Sequence, residues 1–352
     1  NEIPDVLDDA FSTAMSPRSG PVHIDLPRDV LGKSSEFVTP QKFKLNKYPT
    51  ANETSLSKAF ELLSKASKPV ILAGGGIKNH GAKATNSLLA LAEILNAPCT
   101  TSPGHGDLMP YAHPLNAGSA GPRGSGVGTQ LLKEADVILV LGSRLGFNTT
   151  FYSYENINKD AAIIHCELDE NSIGRYFPAA VEIFADATTV ANQLVGMLKD
   201  YKAKAEVDGW TKQFQANRKN YLEHRDLEAD TESVPIMPSG LFKELRRALP
   251  KNTVATLDAG TMCLQLTDAL NFYEPKSLFT PLDFGLVGFS YPAGLGVKLA
   301  APERPVVSFH GDGGMSMVIP ELSTAVENNI NTVVCVMNNG TWGAEAAYQK
   351  DF

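Results

Sequence analysis

The fold of the C-terminal part of this chain is decided by two stretches, VVSFHGDGGMSM (306–317) and NTVVCVMNNGTWG (331–343). Each is an apolar run that ends in polar residues, with Asp312 on a Gly-rich turn in the first and Asn338-Asn339 in the second. The segment between them, Pro320 to Asn329, has the pattern of a helix. Together they predict a βαβ unit, whose two parallel strands bring both polar ends to one edge of a sheet.

The polar residues at this edge have the chemistry of a magnesium-diphosphate site. Ligands of open α/β sheets bind beyond the carboxyl ends of the strands. The Asp312 carboxylate, the Asn339 amide oxygen and the Thr341 backbone carbonyl are hard oxygen ligands suited to Mg²⁺. Gly313 and Gly314 allow backbone N–H groups to approach phosphate oxygens. The alternatives are a turn-capping carboxylate for Asp312 and a turn residue for Asn339, but their joint placement favours metal ligation.

Length and composition are those of an ordinary globular protein. The chain has 352 residues, enough for about two or three domains, and 43% of them are hydrophobic. Its net charge of −8 argues against nucleic acid as a partner. No apolar run approaches the roughly 18 to 20 residues of a membrane span, and the acidic start NEIPDVLDDAF is unlike a signal peptide. We therefore expect no membrane association.

The cysteines and histidines show no metal-binding pattern. The 4 cysteines are scattered without CxxC spacing, so we expect buried free thiols and a cytoplasmic protein. The 7 histidines lack HxxxH and HxH spacing, which argues against a zinc site.

Strands alternating with helices predict an α/β fold of two parallel-sheet, three-layer domains, preceded by the end of a third. The expected parts are the end of a first domain (1–31, with a helix Pro4 to Met15 and a strand Val22 to Leu26), a linker (32–52), a central Rossmann-like domain (53–200), a connector helix (201–233) and a second, incomplete domain (234–352). Trp210, Phe214 and Tyr221 form an apolar stripe on the connector, and Ser239 is predicted to cap a helix that runs to Leu249.

Five strands are predicted in the central domain: Pro69 to Ala73, Cys99 to Thr101, Asp136 to Leu141, Ala162 to Glu167 and Val181 to Phe184. Two glycine-containing turns end strands of this domain, at Gly74-Gly75-Gly76 and Gly142-Ser143-Arg144. The first is shaped like a dinucleotide-binding turn but lacks the GxGxxG pattern. FAD or another nucleotide is therefore one reading of this domain, and a domain with the fold and no ligand is at least as good a reading.

Two loops of the last domain add candidates for ligand binding. The run Asp258-Ala259-Gly260-Thr261 ends a strand, and the Thr261 hydroxyl either donates to the diphosphate or caps a helix. The run Gly285-Leu286-Val287-Gly288 precedes another helix and is, on its own, a common Gly-lined loop.

GDG followed by NN resembles the cofactor motif of thiamine diphosphate-dependent enzymes in the acetolactate synthase and pyruvate oxidase superfamily. The run Gly20 to Asp29 is similar to the end of that family's pyrimidine-binding domain. Residues 53–200 resemble its central domain, and residues 234–352 resemble the first part of its diphosphate-binding domain. The resemblance thus covers nearly the whole chain.

The resemblance implies roles for individual residues. Thiamine diphosphate and Mg²⁺ would be the cofactors, with Val287 as the apolar residue that bends the cofactor and the Gly285 carbonyl as acceptor for its aminopyrimidine. The cofactor-binding candidates are Gly260, Thr261, Gly285, Val287, Asp312, Gly313, Gly314, Asn339, Thr341, Trp342 and Gly343, of which Asp312, Asn339 and Thr341 would bind the metal.

Within this superfamily, two parts of the chain are most similar to sulfoacetaldehyde acetyltransferases: Trp342 to Glu345 with Gln349 and Asp351-Phe352, and Lys276 to Gly285. The run Asn338-Asn339-Gly340-Thr341 has the general superfamily form. The resemblance implies cleavage and formation of C–C bonds on a 2-oxo acid or aldehyde donor, with acetyl transfer as the reaction. The alternatives are acetolactate synthase-type carboligation, 2-oxo acid decarboxylation and a non-catalytic binding module. A homodimer or homotetramer is expected because the family's site forms between subunits.

The catalytic residues themselves are not predicted. The Glu that activates the aminopyrimidine in this family comes from the pyrimidine-binding domain, and no acid in 1–31 lies in a matching motif. We therefore expect the chain to be a fragment truncated at both ends, and inactive by itself.

Overall fold

The computed structural model describes residues 2–34, 36, 47–78 and 80–351. Most of the predicted linker (32–52) lies outside these residues. Near the N-terminus are helices α1 (Ile3–Ala14) and α2 (Arg28–Leu31). The predicted strand Val22 to Leu26 was wrong, since these residues have no regular structure. A strand needs a neighbour for its N–H and C=O groups, and no described strand pairs with this segment.

The first sheet is parallel throughout and has the doubly wound strand order. Its strands, in the described part of the chain, are β1 (Pro69–Ala73), β2 (Cys99–Thr101), β3 (Asn116–Ser119), β4 (Val137–Leu141), β5 (Ala162–Glu167) and β6 (Val181–Phe184). The order β3-β2-β1-β4-β5-β6 places a topological switch point between β1 and β4. The other strands were predicted from apolar runs in the sequence, but β3 was not, because its residues are small or polar and form no apolar run.

Helices cover both faces of this sheet, which confirms the predicted layers. Seven helices accompany it in the described residues: α3 (Glu53–Lys65), α4 (Gly75–Lys78), α5 (Ala82–Leu95), α6 (Gly126–Glu134), α7 (Phe147–Thr150), α8 (Ala187–Met197) and α9 (Ala205–Leu227). Successive strand residues point to opposite faces. Ile71 and Leu139 therefore pack with α3, α5 and α8, whereas Val70 and Ile138 pack with α6 and α9.

The connector helix α9 contacts both domains through the predicted apolar stripe. The Trp210 indole N–H donates to the Pro69 carbonyl at 3.3 Å, and Phe214 is buried against the first sheet. The Tyr221 hydroxyl donates to the Asp268 carboxylate of the second domain. The stripe thus has a packing role.

The second sheet is also parallel, with the strand order β10-β9-β7-β8 among the described residues. Its strands are β7 (Val254–Leu257), β8 (Leu278–Phe279), β9 (Val306–Gly311) and β10 (Val333–Met337), and the helices of this part are α10 (Pro238–Ala248), α11 (Thr261–Ala269), α12 (Ser290–Ala300), α13 (Asp312–Val318), α14 (Glu321–Glu327) and α15 (Gly343–Asp351). Both faces are again covered, α10 and α11 packing on one and α12 and α14 on the other.

One helix cap in this domain was predicted wrongly, and one helix was missed, although the predicted helix Pro320 to Asn329 is present as α14. The N-cap of α10 is Met237 and not Ser239, because Pro238 is well suited to the first helical position. The crossover from β9 to β10 consists of two helices, since α13 begins directly at Asp312 and Pro320 separates it from α14. A proline has no N–H for the hydrogen bonds of a continuous helix.

A buried ion pair joins the two domains. The Lys78 ammonium lies 2.9 Å from Asp107 Oδ1. Asp107 Oδ2 accepts hydrogen bonds from the backbone N–H groups of Ser277 (3.0 Å) and Leu278 (3.2 Å) at the start of β8. The Lys78 ammonium also donates to the Leu278 carbonyl. A side chain of the first domain thereby hydrogen-bonds the outer strand of the second.

In the described part of the chain, no helix is long and apolar enough to cross a membrane.

The cysteines are unpaired thiols, as expected, and three of them are buried whereas Cys335 is half-buried. Burial raises the pKa of the Cys99 thiol to about 12.

Candidate functional site

The ends of β9 and β10 lie side by side, as the two sequence stretches predicted. Gly311 pairs with Met337 in the parallel register. Asp312 follows the first strand directly, and Asn339 comes two residues after the second. The carboxylate and the amide therefore lie at the same edge of the second sheet.

A cavity of about 880 Å³ opens at this edge, and all of the predicted cofactor-binding residues line it. They are Gly260, Thr261, Gly285, Val287, Asp312, Gly313, Gly314, Asn339, Thr341, Trp342 and Gly343. The cavity also has a wall that the sequence did not predict, because Arg123 and Asn148 reach it from the central domain. Asn148 Nδ2 donates to the Leu282 carbonyl at 3.1 Å, which fixes this wall to the second domain.

Asp312 has the properties expected of a metal ligand. It is the first residue of α13, half-buried, and its carboxylate makes no hydrogen bond to another described residue. Asn339 Oδ1 accepts a hydrogen bond from the Thr341 N–H at 3.3 Å. Asn339 therefore also has the role of a turn residue, which was the alternative to metal binding. No group of three or more His, Cys, Asp and Glu residues in the described chain could hold a metal. A cation here would therefore depend on amide and backbone oxygens besides Asp312, which suits Mg²⁺.

Gly313 and Gly314 are required by their packing as well as by their position. Both lie in the first turn of α13, where backbone N–H groups have no partner within the helix. A Cβ on Gly313 would lie 2.1 Å from Trp342 Nε1, and a Cβ on Gly314 would lie 2.0 Å from Asp258 Oδ2. Larger residues would push apart the elements that form the cavity.

Gly314→Ala is expected to lower the free energy of unfolding by about 1 to 3 kcal/mol, because the added methyl overlaps a buried carboxylate. Gly311→Ala is the matched control, since a Cβ there meets nothing within 4 Å, and its effect should stay within about 0.5 kcal/mol. Urea unfolding followed by tryptophan fluorescence measures both. Equal stabilities of the two variants would contradict the packing argument.

Asp258 is the organising residue that the sequence analysis did not single out as a site residue. It is fully buried directly after β7. Its carboxylate accepts backbone N–H groups from Gly288 (3.1 Å), Phe289 (2.7 Å) and Ser290 (3.2 Å). Burial, the largest influence, raises the pKa of Asp258, but the neighbouring His310 and the backbone donors outweigh it and hold the pKa below its usual value. The sequence did contain a signal for this role, because Asp258 is an acidic residue placed between the apolar strand β7 and the turn Ala259-Gly260.

His310 completes this buried cluster. The Tyr291 backbone N–H donates to His310 Nε2 at 2.7 Å. That bond assigns the ring proton to Nδ1, which lies 3.3 Å from Asp258 Oδ2. Asp258 thereby joins the end of β7 to the start of α12 and to β9.

The loop before α12 is fixed by this cluster. Gly285 adopts φ +76°, a conformation that favours glycine, and Val287 faces the cavity. The hydrogen bond from Gly288 to Asp258 fixes the end of the loop. One alternative for Thr261 was a helix N-cap. This alternative was wrong, because the N-cap of α11 is Gly260, which has φ +120°.

A second cavity, of about 540 Å³, opens at the switch point of the first sheet. Three arginines line it, Arg18, Arg144 and Arg175, together with the turns after β1 and β4. The glycines of these turns have a packing reason, since a Cβ on Gly74 would lie 2.4 Å from the Gly142 carbonyl oxygen. This contact supports the reading in which the fold alone requires the glycines.

Comparison with known proteins agrees with this architecture. Residues 56–194 match the family described as thiamine pyrophosphate enzyme, central domain, and residues 258–352 match its C-terminal TPP binding domain. A sulfoacetaldehyde acetyltransferase of Alcaligenes xylosoxydans xylosoxydans is 34% identical over 97% of this chain and 60% of its own length. A probable acetolactate synthase large subunit of Methanococcus aeolicus is 32% identical over 100% and 61%.

The acetolactate synthase isozyme 1 large subunit of Escherichia coli is 31% identical over 100% of this chain and 60% of its own length. The chain thus spans about 60% of the length of these curated relatives. Both family matches fall on the two parallel sheets, and the second includes the cavity residues from Gly260 to Gly343. The chain therefore belongs to the thiamine pyrophosphate enzyme family.

Proposed function

We propose that this chain binds thiamine diphosphate with Mg²⁺ in the 880 Å³ cavity, within an enzyme that cleaves and forms C–C bonds on a 2-oxo acid or aldehyde. The observation that carries the proposal is the convergence of Asp312, Asn339 and the glycines of α13 on one cavity at the carboxyl edge of the sheet. When bound, this cofactor supplies a nucleophilic carbon and an electron sink.

The chain's own residues bind and orient the cofactor in this proposal. Asp312, Asn339 and the Thr341 carbonyl would hold the metal, and the first-turn N–H groups of α13 would be available to the diphosphate. The Gly285 carbonyl would accept a hydrogen bond from the aminopyrimidine, and Val287 would supply an apolar wall. The remaining candidates, Gly260, Thr261, Trp342 and Gly343, line the cavity around them.

For the reaction we propose acetyl transfer, supported by the 34% identical relative named as a sulfoacetaldehyde acetyltransferase. Carboligation is the second candidate, favoured by the relatives named as acetolactate synthases. Product analysis of the full-length parent, supplied with sulfoacetaldehyde or with pyruvate, separates these reactions from simple decarboxylation. Retained cofactor binding without any product from the full-length parent would favour a non-catalytic binding module.

The central cavity is the candidate site for FAD or another nucleotide. It lies at the switch point, where doubly wound sheets bind nucleotides. Arg175 lines it without an ion pair to a described residue, whereas Arg18 and Arg144 pair with Asp169 and Asp283 of the same cavity. The close packing of Gly74 on the Gly142 carbonyl supports the alternative, in which the domain has this fold but binds no ligand. The visible absorption of the purified protein tests for a flavin.

We further propose a homodimer or homotetramer in the cytoplasm. Exposed apolar side chains on α1, including Ile3, Val6 and Leu7, support a contact with another subunit. The free cysteines support a reducing compartment. Light scattering of the purified protein measures the assembly.

Thiamine diphosphate is expected to bind this chain in the presence of Mg²⁺ and to bind much more weakly with EDTA. The physical reason is that a doubly negative diphosphate beside Asp312 needs a bridging cation. Isothermal titration calorimetry with and without Mg²⁺ measures the difference. Equal affinity in both buffers, or no binding with Mg²⁺ present, would contradict the proposed cofactor site.

A further inference from the structure

Arg123 is the only basic side chain among the described residues that line the 880 Å³ cavity. The other charged lining residues are Asp312, Glu345 and Asp351, all of them acidic. A positive side chain in a cleft raises the local concentration of anionic ligands there. Arg123 is therefore the side chain to which an anionic substrate group would be attracted.

The Arg123 guanidinium is not neutralised by any carboxylate of the described residues. No described carboxylate lies within 4.0 Å of it, whereas Arg18, Arg144 and Arg246 each form an ion pair. Its guanidinium carbon lies 5.4 Å from the centroid of the Phe151 ring. An aromatic face restrains a guanidinium and leaves its N–H donors available.

The loop that carries Arg123 is held rigidly. The Thr129 hydroxyl donates to the Gly121 carbonyl at 2.8 Å, and the Gly124 N–H donates to the same carbonyl at 2.9 Å. Gly121 has φ +109°, and a Cβ there would lie 2.3 Å from the Asn148 carbonyl oxygen. The loop thus packs against Asn148, the other central-domain residue that lines the cavity.

We propose that Arg123 binds the anionic group, a carboxylate or a sulfonate, of the small substrate. The inference rests on the proposed function, in which the diphosphate is bound by the metal and by α13 on the wall formed by the second domain. Arg123 lies on the wall formed by the central domain, so the positive charge there is available to the substrate. A guanidinium fork matches the oxygens of either anion.

The test uses unreactive substrate analogues on the chain loaded with Mg²⁺ and thiamine diphosphate. Lactate carries the carboxylate, 2-hydroxyethanesulfonate carries the sulfonate, and propane-1,2-diol is the uncharged control. Ligand-observed NMR measures their dissociation constants for the wild type, Arg123→Ala and Arg123→Lys. Arg247→Ala is the matched control, because it removes an exposed arginine that lines neither cavity.

Arg123→Ala is expected to weaken binding of the anions by about tenfold or more, as the loss of a charged hydrogen bond does, and to leave the diol and the cofactor unaffected. Arg123→Lys should recover part of the affinity, and the anion that loses more identifies the substrate group. Unchanged anion binding would overturn the inference, as would a weakened affinity for thiamine diphosphate, which would assign Arg123 to the diphosphate. If the wild type does not bind the cofactor, the proposed function fails and this assignment fails with it.

Discussion

Asp258→Ala is expected to lower the free energy of unfolding by about 3 to 5 kcal/mol, a large part of the stability of a domain. The substitution leaves the N–H groups of Gly288, Phe289 and Ser290 without the acceptor they have in the structure. It also removes the carboxylate that faces His310. Urea unfolding followed by Trp342 fluorescence in a Trp210→Phe background measures the change, because Trp342 packs on Gly313 of the same domain.

Asp283→Ala is the control for this experiment. Its carboxylate is 73% exposed and lies 3.5 Å from Arg144, so its removal should cost less than about 1 kcal/mol. A similar loss in both variants would contradict the organising role of Asp258.

The pH dependence of stability provides a second measurement on Asp258. Its pKa is lowered in the folded protein, so its contribution is present above its unfolded pKa of about 3.9 and is lost as the pH falls through the folded value. The stability difference between wild type and Asp258→Asn should therefore shrink in that acidic range. If the difference in the free energy of unfolding between the two proteins stays constant down to the folded pKa, the charge of Asp258 contributes nothing to stability.

Asp312→Ala is expected to weaken Mg²⁺-dependent binding of thiamine diphosphate by more than about 100-fold. Residues that merely orient metal ligands typically account for about 10- to 100-fold in affinity, and Asp312 would be a direct ligand. Its fold should persist, because the half-buried carboxylate makes no hydrogen bond to the described residues. Calorimetric titration of the variant with and without Mg²⁺ measures both affinities.

Asp351→Ala is the matched control for Asp312, since Asp351 is an acid that lines the same cavity but is not a predicted ligand. Asp312→Asn retains one neutral oxygen and should lie between the wild type and the alanine variant. If Asp312→Ala binds the cofactor as tightly as Asp351→Ala does, Asp312 is not a metal ligand.

The sequence predicted those features that depend on apolar runs and on polar residues at their ends. β1 and β2 were expected at the bounds that the structure gives, and Asp312 and Asn339 meet at the sheet edge. Strand β3 was missed because the run Asn-Ala-Gly-Ser has no hydrophobic pattern, and it pairs only because β2 offers it an open edge.

Long-range contacts were outside the reach of pattern analysis. The role of Asp258 depends on backbone groups about thirty residues further along the chain, and Arg123 reaches the cavity from another domain. Such contacts arise from the packing of whole domains and leave no local signal in composition or spacing. The predicted strand Val22 to Leu26 failed for a related reason. Its local pattern suits a strand, but a strand forms only where a neighbouring strand pairs with it, and these residues have no regular structure.

The Lys78–Asp107 pair has a consequence for the order in which the chain folds. Strand β8 contributes only two residues to its sheet, and its first N–H groups are bound by Asp107. The central domain must therefore be formed before β8 can be held at the edge of the other sheet. The second domain is not an autonomous folding unit in this respect, and its outer strand should be among the last to become protected from hydrogen exchange during refolding.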